Sequence, residues 1–223
     1  MVQNQLPGLT AYRARAGSHT NVGIGVARLK ILHVSDVHCS EAMLRRALRE
    51  LAYDVVVVSG DLECPSLVDI LGEAGGDVVV VTGNMDSGWV REELASRGYL
   101  LDGRTRSIGG LVFAGIGGIE PYGDAEKLRV EVDEKLLDVL VSHHPPYGVL
   151  DESAWGGHGG LLVIRRLVEG LQPLLHLFGH IHEARGQARL GATLAVNPGP
   201  LVQGYYAVIE VSDGKVEARL GKL

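Results

Sequence analysis

Six short runs of β-branched and other apolar residues punctuate the chain and constrain its fold more than any other feature. They are 29–35 "LKILHVS", 54–59 "DVVVVS", 77–82 "DVVVVT", 111–115 "LVFAG", 138–142 "DVLVS" and 174–178 "LLHLF". A strand with one wet face alternates apolar and polar residues, whereas these are apolar at consecutive positions, so both faces must be covered. Between the first two, "EAMLRRALREL" sets Leu44, Ala47, Leu48 and Leu51 on one helical stripe. Helical readings also fit 88–97 and 160–170. Strands separated by helices argue for parallel βαβ units and an α/β fold. From residue 187 onward the character changes. "QARLGATLAVN" and "YYAVIEVSDGKVEARL" read as hairpins, the second turning at Asp213-Gly214, which adds a second, more antiparallel part. With no internal repeat or low-complexity linker, one domain is expected over 29–223. Residues 1–28 form an N-terminal extension expected to lie, ordered, on that domain or on a neighbour.

At 223 residues a single domain can bury roughly 70% of its unfolded surface. No apolar run comes near the ~20 residues that a spanning helix needs, and the N-terminus lacks the apolar segment of a secretory signal, so a cytoplasmic protein with no membrane contact is expected. Lys and Arg number 21 against 27 Asp and Glu, a formal charge of −6 with no basic block. That argues against binding long nucleic acid through the surface and leaves local cations to attract a small anionic substrate. Four Asn and five Gln are few, which points toward a thermophilic source. Two cysteines do not make a secreted disulfide framework. Homo-oligomerisation is compatible with the sequence but not indicated by it.

The residues that follow the strands carry the chemistry. "LKILHVS" leads into Asp36-Val37-His38, "DVVVVS" into Gly60-Asp61, "DVVVVT" into Gly83-Asn84, "DVLVS" into His143-His144, and "LLHLF" into Gly179-His180-Ile181-His182. In an open α/β sheet, ligands collect at the carboxyl ends of the strands, so these side chains should converge on one rim. Asp36, His38, Asp61, Asn84, His143, His180 and His182 offer carboxylate, carbonyl and imidazole donors without thiolate, a set suited to Mn, Fe, Zn, Co or Ni. Seven donors exceed one tetrahedral ion and fit two divalent ions sharing a carboxylate. Glycine before Asp61, Asn84 and His180 lets the backbone bend and approach closely.

"SDVHC", "SGDLE", "TGNMD", "SHHPP" and "FGHIH" resemble, in order, the motifs of the calcineurin-like metallophosphoesterase superfamily. "FAGIGGIEPYG", "GHIHEARG" and "VNPGP" are similar to the small Icc-related predicted phosphoesterases. The resemblance implies a four-layer αββα sandwich, two mixed β-sheets flanked by helices. It also implies one ion held by Asp36, His38, Asp61 and His182 and a second held by Asp61, Asn84, His143 and His180, with Asp61 bridging. The expected function is hydrolysis of a phosphodiester, or a phosphomonoester, of a small phosphorylated substrate by a water that the ions activate. The alternatives are a non-catalytic scaffold of the same fold, as in a retromer subunit of this superfamily, and a nuclease. Where the superfamily carries Gly-Asn-His, this chain has Met85, whose thioether cannot donate a proton.

Bland readings apply to the remaining residues. His33 and His176 lie inside apolar runs and are expected in the core. Asp86 with Ser87 is expected to cap the next helix. His144 is expected to point away from His143 by strand alternation and to pack or support rather than ligate. "GIGG" at 115–118 reads as a turn. His158, in "GGHGG" before a helical pattern, is the candidate substrate contact at a helix N-terminus. Cys39 and Cys64 are expected near one another as inert buried thiols, with a disulfide of the kind found in thermophile cytosol as the alternative.

Overall fold

A computed structural model describes residues 28–131 and 137–223. The expected N-terminal extension, Arg28 apart, lies outside the described residues. The elements run β1 (Leu29–Val34), α1 (Glu41–Glu50), β2 (Val55–Ser59), α2 (Ser66–Leu71), β3 (Asp77–Val81), α3 (Gly88–Ser96), β4 (Thr105–Ile108), β5 (Leu111–Ile116), α4 (Pro121–Glu131), β6 (Val139–Ser142), α5 (Leu162–Leu171), β7 (Leu175–Leu177), β8 (Gly186–Leu190), β9 (Thr193–Asn197), β10 (Tyr205–Ser212) and β11 (Lys215–Lys222). They form two mixed sheets, ordered β11-β10-β1-β2-β3 and β4-β5-β6-β7-β9-β8.

Strand alternation explains the four layers. Val55 and Val57 point into a core between the two sheets, where they meet Phe113, Val139, Val141 and Leu177. Val56 and Val58 point the other way and pack with Leu44, Ala47, Leu67 and Leu94 of α1–α3. On the far side, Ala114, Ile116 and Leu140 pack with Leu128, Ile164 and Val168 of α4 and α5. Each strand of this kind is therefore buried on both faces, and each fully buried Val or Leu side chain stabilises the fold by roughly 1.5–3 kcal/mol.

The expected antiparallel part is not separate. β9 joins its sheet parallel to β7 with β8 as its antiparallel edge, while β10 pairs antiparallel with β1 and β11 closes that edge. The hairpins complete the two sheets because their apolar faces, such as Ala207, Ile209 and Val211, find partners only in the inter-sheet core. The turn at Asp213-Gly214 forms as expected, between the paired Ser212 and Lys215. No helix among the described residues is long and apolar enough to cross a membrane.

Candidate metal centre

The carboxyl ends of β1, β2, β3, β6 and β7 bring the expected side chains to one rim. The loops after β1 and β2 run side by side there. Asp36 N–H donates to the Gly60 carbonyl at 3.1 Å, the Val37 and His38 N–H groups to the Asp61 carbonyl at 2.9 Å, and Cys39 N–H to the Leu62 carbonyl at 3.1 Å. Asp36, His38, Cys39, Asp61, Glu63 and His180 all adopt positive φ, between 44° and 69°. Each such non-glycine residue costs on the order of 1–2 kcal/mol, and clusters of this kind persist where the surroundings over-determine them, commonly at functional sites. Gly60 turns the chain at φ 96°, and a side chain on Gly83 would overlap the Asp61 carboxylate.

One half of the cluster is buried. His143 is fully inaccessible and Asp61 nearly so, with Asn84 at the exposed edge. His143 Nδ1 lies 2.9 Å from the Ser59 carbonyl, which can only accept, so the ring's proton sits there and the lone pair of the neutral imidazole is on Nε2. That nitrogen faces Asn84 Oδ1 at 2.8 Å and Asp61 Oδ1 at 3.6 Å. The His180 ring lies 4.9 Å from that of His143, and its backbone N–H donates to Asp36 Oδ2 at 3.1 Å.

The other half opens to solvent, with the His38 and His182 side chains 26% and 37% exposed. His38 Nδ1 is 2.7 Å from Glu63 Oε1, which commits its proton to Glu63 and turns the Nε2 lone pair toward His182 Nε2 at 3.4 Å. His182 Nε2 is 3.4 Å from Asp36 Oδ1, a buried oxygen that accepts no hydrogen bond.

Asp36, His38 and His182 thus form one group with ligand-competent atoms within 4.8 Å of one another, and Asp36, Asp61 and His143 form a second. Asp36 is common to both. Lone pairs and carboxylate oxygens this close repel unless a proton or a cation sits among them, and a metal would bond such nitrogen and oxygen atoms at ~2.0–2.2 Å. The residues present therefore fit divalent metal.

Burial pushes the Asp36 carboxyl up, yet the contact with His182 and the nearby His143 outweigh it and hold the group at about 2. Burial first, and the neighbouring His143 ring second, bring His180 down to about 4. His182 is raised, chiefly by its Asp36 contact.

Other expectations divide. His33 and His176 are fully buried, and their Nε2 atoms are 2.8 Å from Ser59 Oγ and Ser142 Oγ. Ser87 caps α3, its Oγ accepting from Val90 N–H at 3.3 Å. Asp86 does not join it. Its carboxylate is buried and accepts from Glu63 N–H at 2.6 Å and Gly83 N–H at 2.7 Å, tying two ligand loops together. The His144 ring does not point away from the cluster. It packs 4.4 Å from His180 and 5.2 Å from His143, because β6 ends at Ser142 and strand alternation lapses before it. Only the second half of "GIGG" leaves the strand: Gly115 and Ile116 end β5, the chain bends from Gly118, and Gly117 N–H donates to Asp124 Oδ2 at 3.1 Å. His158 precedes the Leu161 cap of α5 by three residues, and its Nδ1 is held by Asp151 Oδ1 at 2.8 Å.

Cys39 and Cys64 are not free thiols; they form a disulfide, with Cα atoms 5.1 Å apart. The paired loop backbones bring them together. Sequence reasoning also missed Glu63 and Asp102. Asp102, pushed up to about 6 by burial, accepts from Thr82 N–H at 3.0 Å and Thr82 Oγ1 at 2.7 Å just before Gly83-Asn84. Acidic residues in loops give no periodic signal, so only the position of Glu63 beside a ligand motif could have drawn attention.

The family model described as the calcineurin-like phosphoesterase superfamily domain matches residues 29–214. An uncharacterised protein of Methanocaldococcus jannaschii is 32% identical over 200 residues, spanning 78% of this chain and 90% of its own. A dimetal phosphatase from Danio rerio has a similar fold, with TM-score 0.57 and 14% identity over 87% of this chain and 98% of that one. So does an archaeal phosphodiesterase, with TM-score 0.52 and 17% identity over 86% of this chain and 100% of that one.

Proposed function

The chain belongs to the calcineurin-like phosphoesterase superfamily, and from that premise we propose a binuclear metal-dependent phosphodiesterase acting on a small substrate. Asp36, His38, Asp61 and His182 hold one ion in this reading, and Asp61, Asn84, His143 and His180 hold the other. The observation that carries it is Asp36, a buried carboxylate held ionised whose Oδ1 accepts no hydrogen bond. A buried carboxylate oxygen without a hydrogen bond is costly, and a cation between it, His38 and His182 would remove the cost. Two divalent ions bound there supply the charge that neutralises a phosphate and lower the pKa of water toward neutrality.

The chain's own groups do the rest. Ser59 and Glu63 fix the tautomers of His143 and His38, so both present Nε2 inward. Met85 is 59% exposed beside Asn84 and has no proton to give a leaving oxygen. Diesters with good leaving groups should therefore be favoured over alkyl monoesters. Metal analysis of protein purified without chelators, followed by assays on activated diesters and alkyl monoesters, tests this. Two ions per chain and metal-dependent diester cleavage are expected. Two ions with no hydrolysis of any ester would favour the scaffold, and full activity in metal-free protein would remove the metal from the chemistry.

A further inference from the structure

We propose that Glu63 positions His38 and that the Cys39–Cys64 disulfide governs how firmly it does so, making metal affinity on the His38 side depend on the oxidation state of the two cysteines. This rests on the two-ion reading above. His38 and Cys39 are neighbours on one loop, and Glu63 and Cys64 are neighbours on the next. The two loops are therefore joined on consecutive rungs, by the 2.7 Å bond between His38 Nδ1 and Glu63 Oε1 and by the disulfide. Cys39 N–H bonding the Leu62 carbonyl lies in the same ladder.

The backbone here needs such a tie. His38, Cys39 and Glu63 have φ values of 44°, 58° and 66°. Asp and His tolerate that region several-fold better than other residues, and Cys39 and Glu63 are not of that kind. The covalent link between the residues that follow His38 and Glu63 limits how far the strained loops can separate. Without it, the pair that fixes the His38 tautomer is held by weaker bonds at a half-exposed surface. His143 differs, because its tautomer is fixed by the Ser59 carbonyl at the end of β2, away from both sulfurs.

Both cysteines are half-exposed, within reach of a small dithiol. One thiolate of the dithiol attacks a cysteine sulfur, breaking the S–S bond and forming a mixed disulfide. The second thiolate then displaces the protein sulfur and closes the reductant's own disulfide. Two electrons and two protons pass to the protein, leaving Cys39 and Cys64 as thiols.

Cobalt(II) titration followed by visible absorption, which reports histidine ligation, tests the proposal. The proteins are oxidised wild type, wild type reduced and then freed of dithiothreitol under nitrogen, Glu63→Gln in both states, and the Cys39→Ser/Cys64→Ser double variant. Circular dichroism verifies folding. The oxidised protein should bind two ions. Reduction should weaken one of them roughly 10–100-fold, the usual effect of losing a partner behind a ligand, and leave the other unchanged. The double serine variant should match reduced wild type. Glu63→Gln should show the weakening already when oxidised and respond little to reduction. Equal affinities in oxidised and reduced wild type, or a Glu63→Gln protein that responds to reduction as fully as wild type, would overturn this inference alone. An oxidised wild type that binds fewer than two ions would overturn the two-ion reading and this inference with it.

Discussion

The buried and the exposed halves of the rim hold their histidines in different ways. His143 is fully enclosed and anchored by a main-chain carbonyl of β2, with Asp61 against it. His38 and His182 are 26% and 37% exposed and are held by side chains, Glu63 and Asp36. A carbonyl inside a sheet cannot move without breaking the ladder, whereas a glutamate on a left-handed loop residue can. The two ion positions should accordingly differ in affinity, the buried half binding more tightly.

The largest expected effect comes from the carboxylate placed against the buried half. In Asp61→Asn, metal content and hydrolysis should fall together by more than about 100-fold, beyond what losing a partner behind a ligand costs. A variant that keeps both ions and full turnover would show that Asp61 does not join the halves.

Acid should attack the layer beneath the buried half as well as the rim, where burial brings His144 down to about 3. His176, fully buried, is pushed down to about 3 by desolvation and then by the nearby His33. Because its folded pKa lies below the unfolded value, its stabilisation is complete above about pH 6.5 and is lost as pH falls toward 3, by roughly 3 kcal/mol at pH 4. Metal-free His176→Gln should therefore show a shallower fall of Tm between pH 6.5 and 4 than metal-free wild type. Parallel curves would place the acid sensitivity elsewhere.

A smaller, local effect is expected from Gly83→Ala, whose Cβ would overlap the Asp61 carboxylate and main chain. Overpacking of this kind costs about 1–3 kcal/mol. Because the displaced Asp61 carboxylate is shared in this reading, both ions should weaken, the one at His143 the more, and unchanged affinity at both would argue that Asp61 is not a ligand. Smallest of all should be Met85→His. The new imidazole has no partner to orient it, so its gain on esters with poor leaving groups should fall short of the roughly 10²-fold that a positioned acid contributes. A series of aryl and alkyl diesters measures this, and a gain beyond that level would mean the site already orients an acid there.

Much of this was legible in the sequence because it resides in strand ends. Runs apolar on both faces announced doubly covered strands, and five of the six were followed within two residues by a ligand-type residue, so order along the chain translated into position on one rim. What was illegible depends on contacts between loops. β4, "TRSI", is an edge strand with three of its four residues not buried, and it carries no apolar pattern. α4 carries Gly123 in its first turn and has no clear apolar stripe, while α2 has only six residues. The disulfide, Asp86 bridging two loops and Glu63 behind His38 all pair residues more than twenty positions apart, which no local periodicity reports. The position of His144 was misjudged because alternation was extended past the end of β6.

The central claim is that two unequal ion positions share one rim. Anomalous diffraction from crystals soaked with limiting and then saturating manganese tests it most directly. At limiting metal, the account predicts one peak within bonding distance of His143 and Asn84, joined at saturation by a second at His38 and His182 with a carboxylate between them. A first peak at His38 and His182, or a saturated crystal with a single ion, would contradict it.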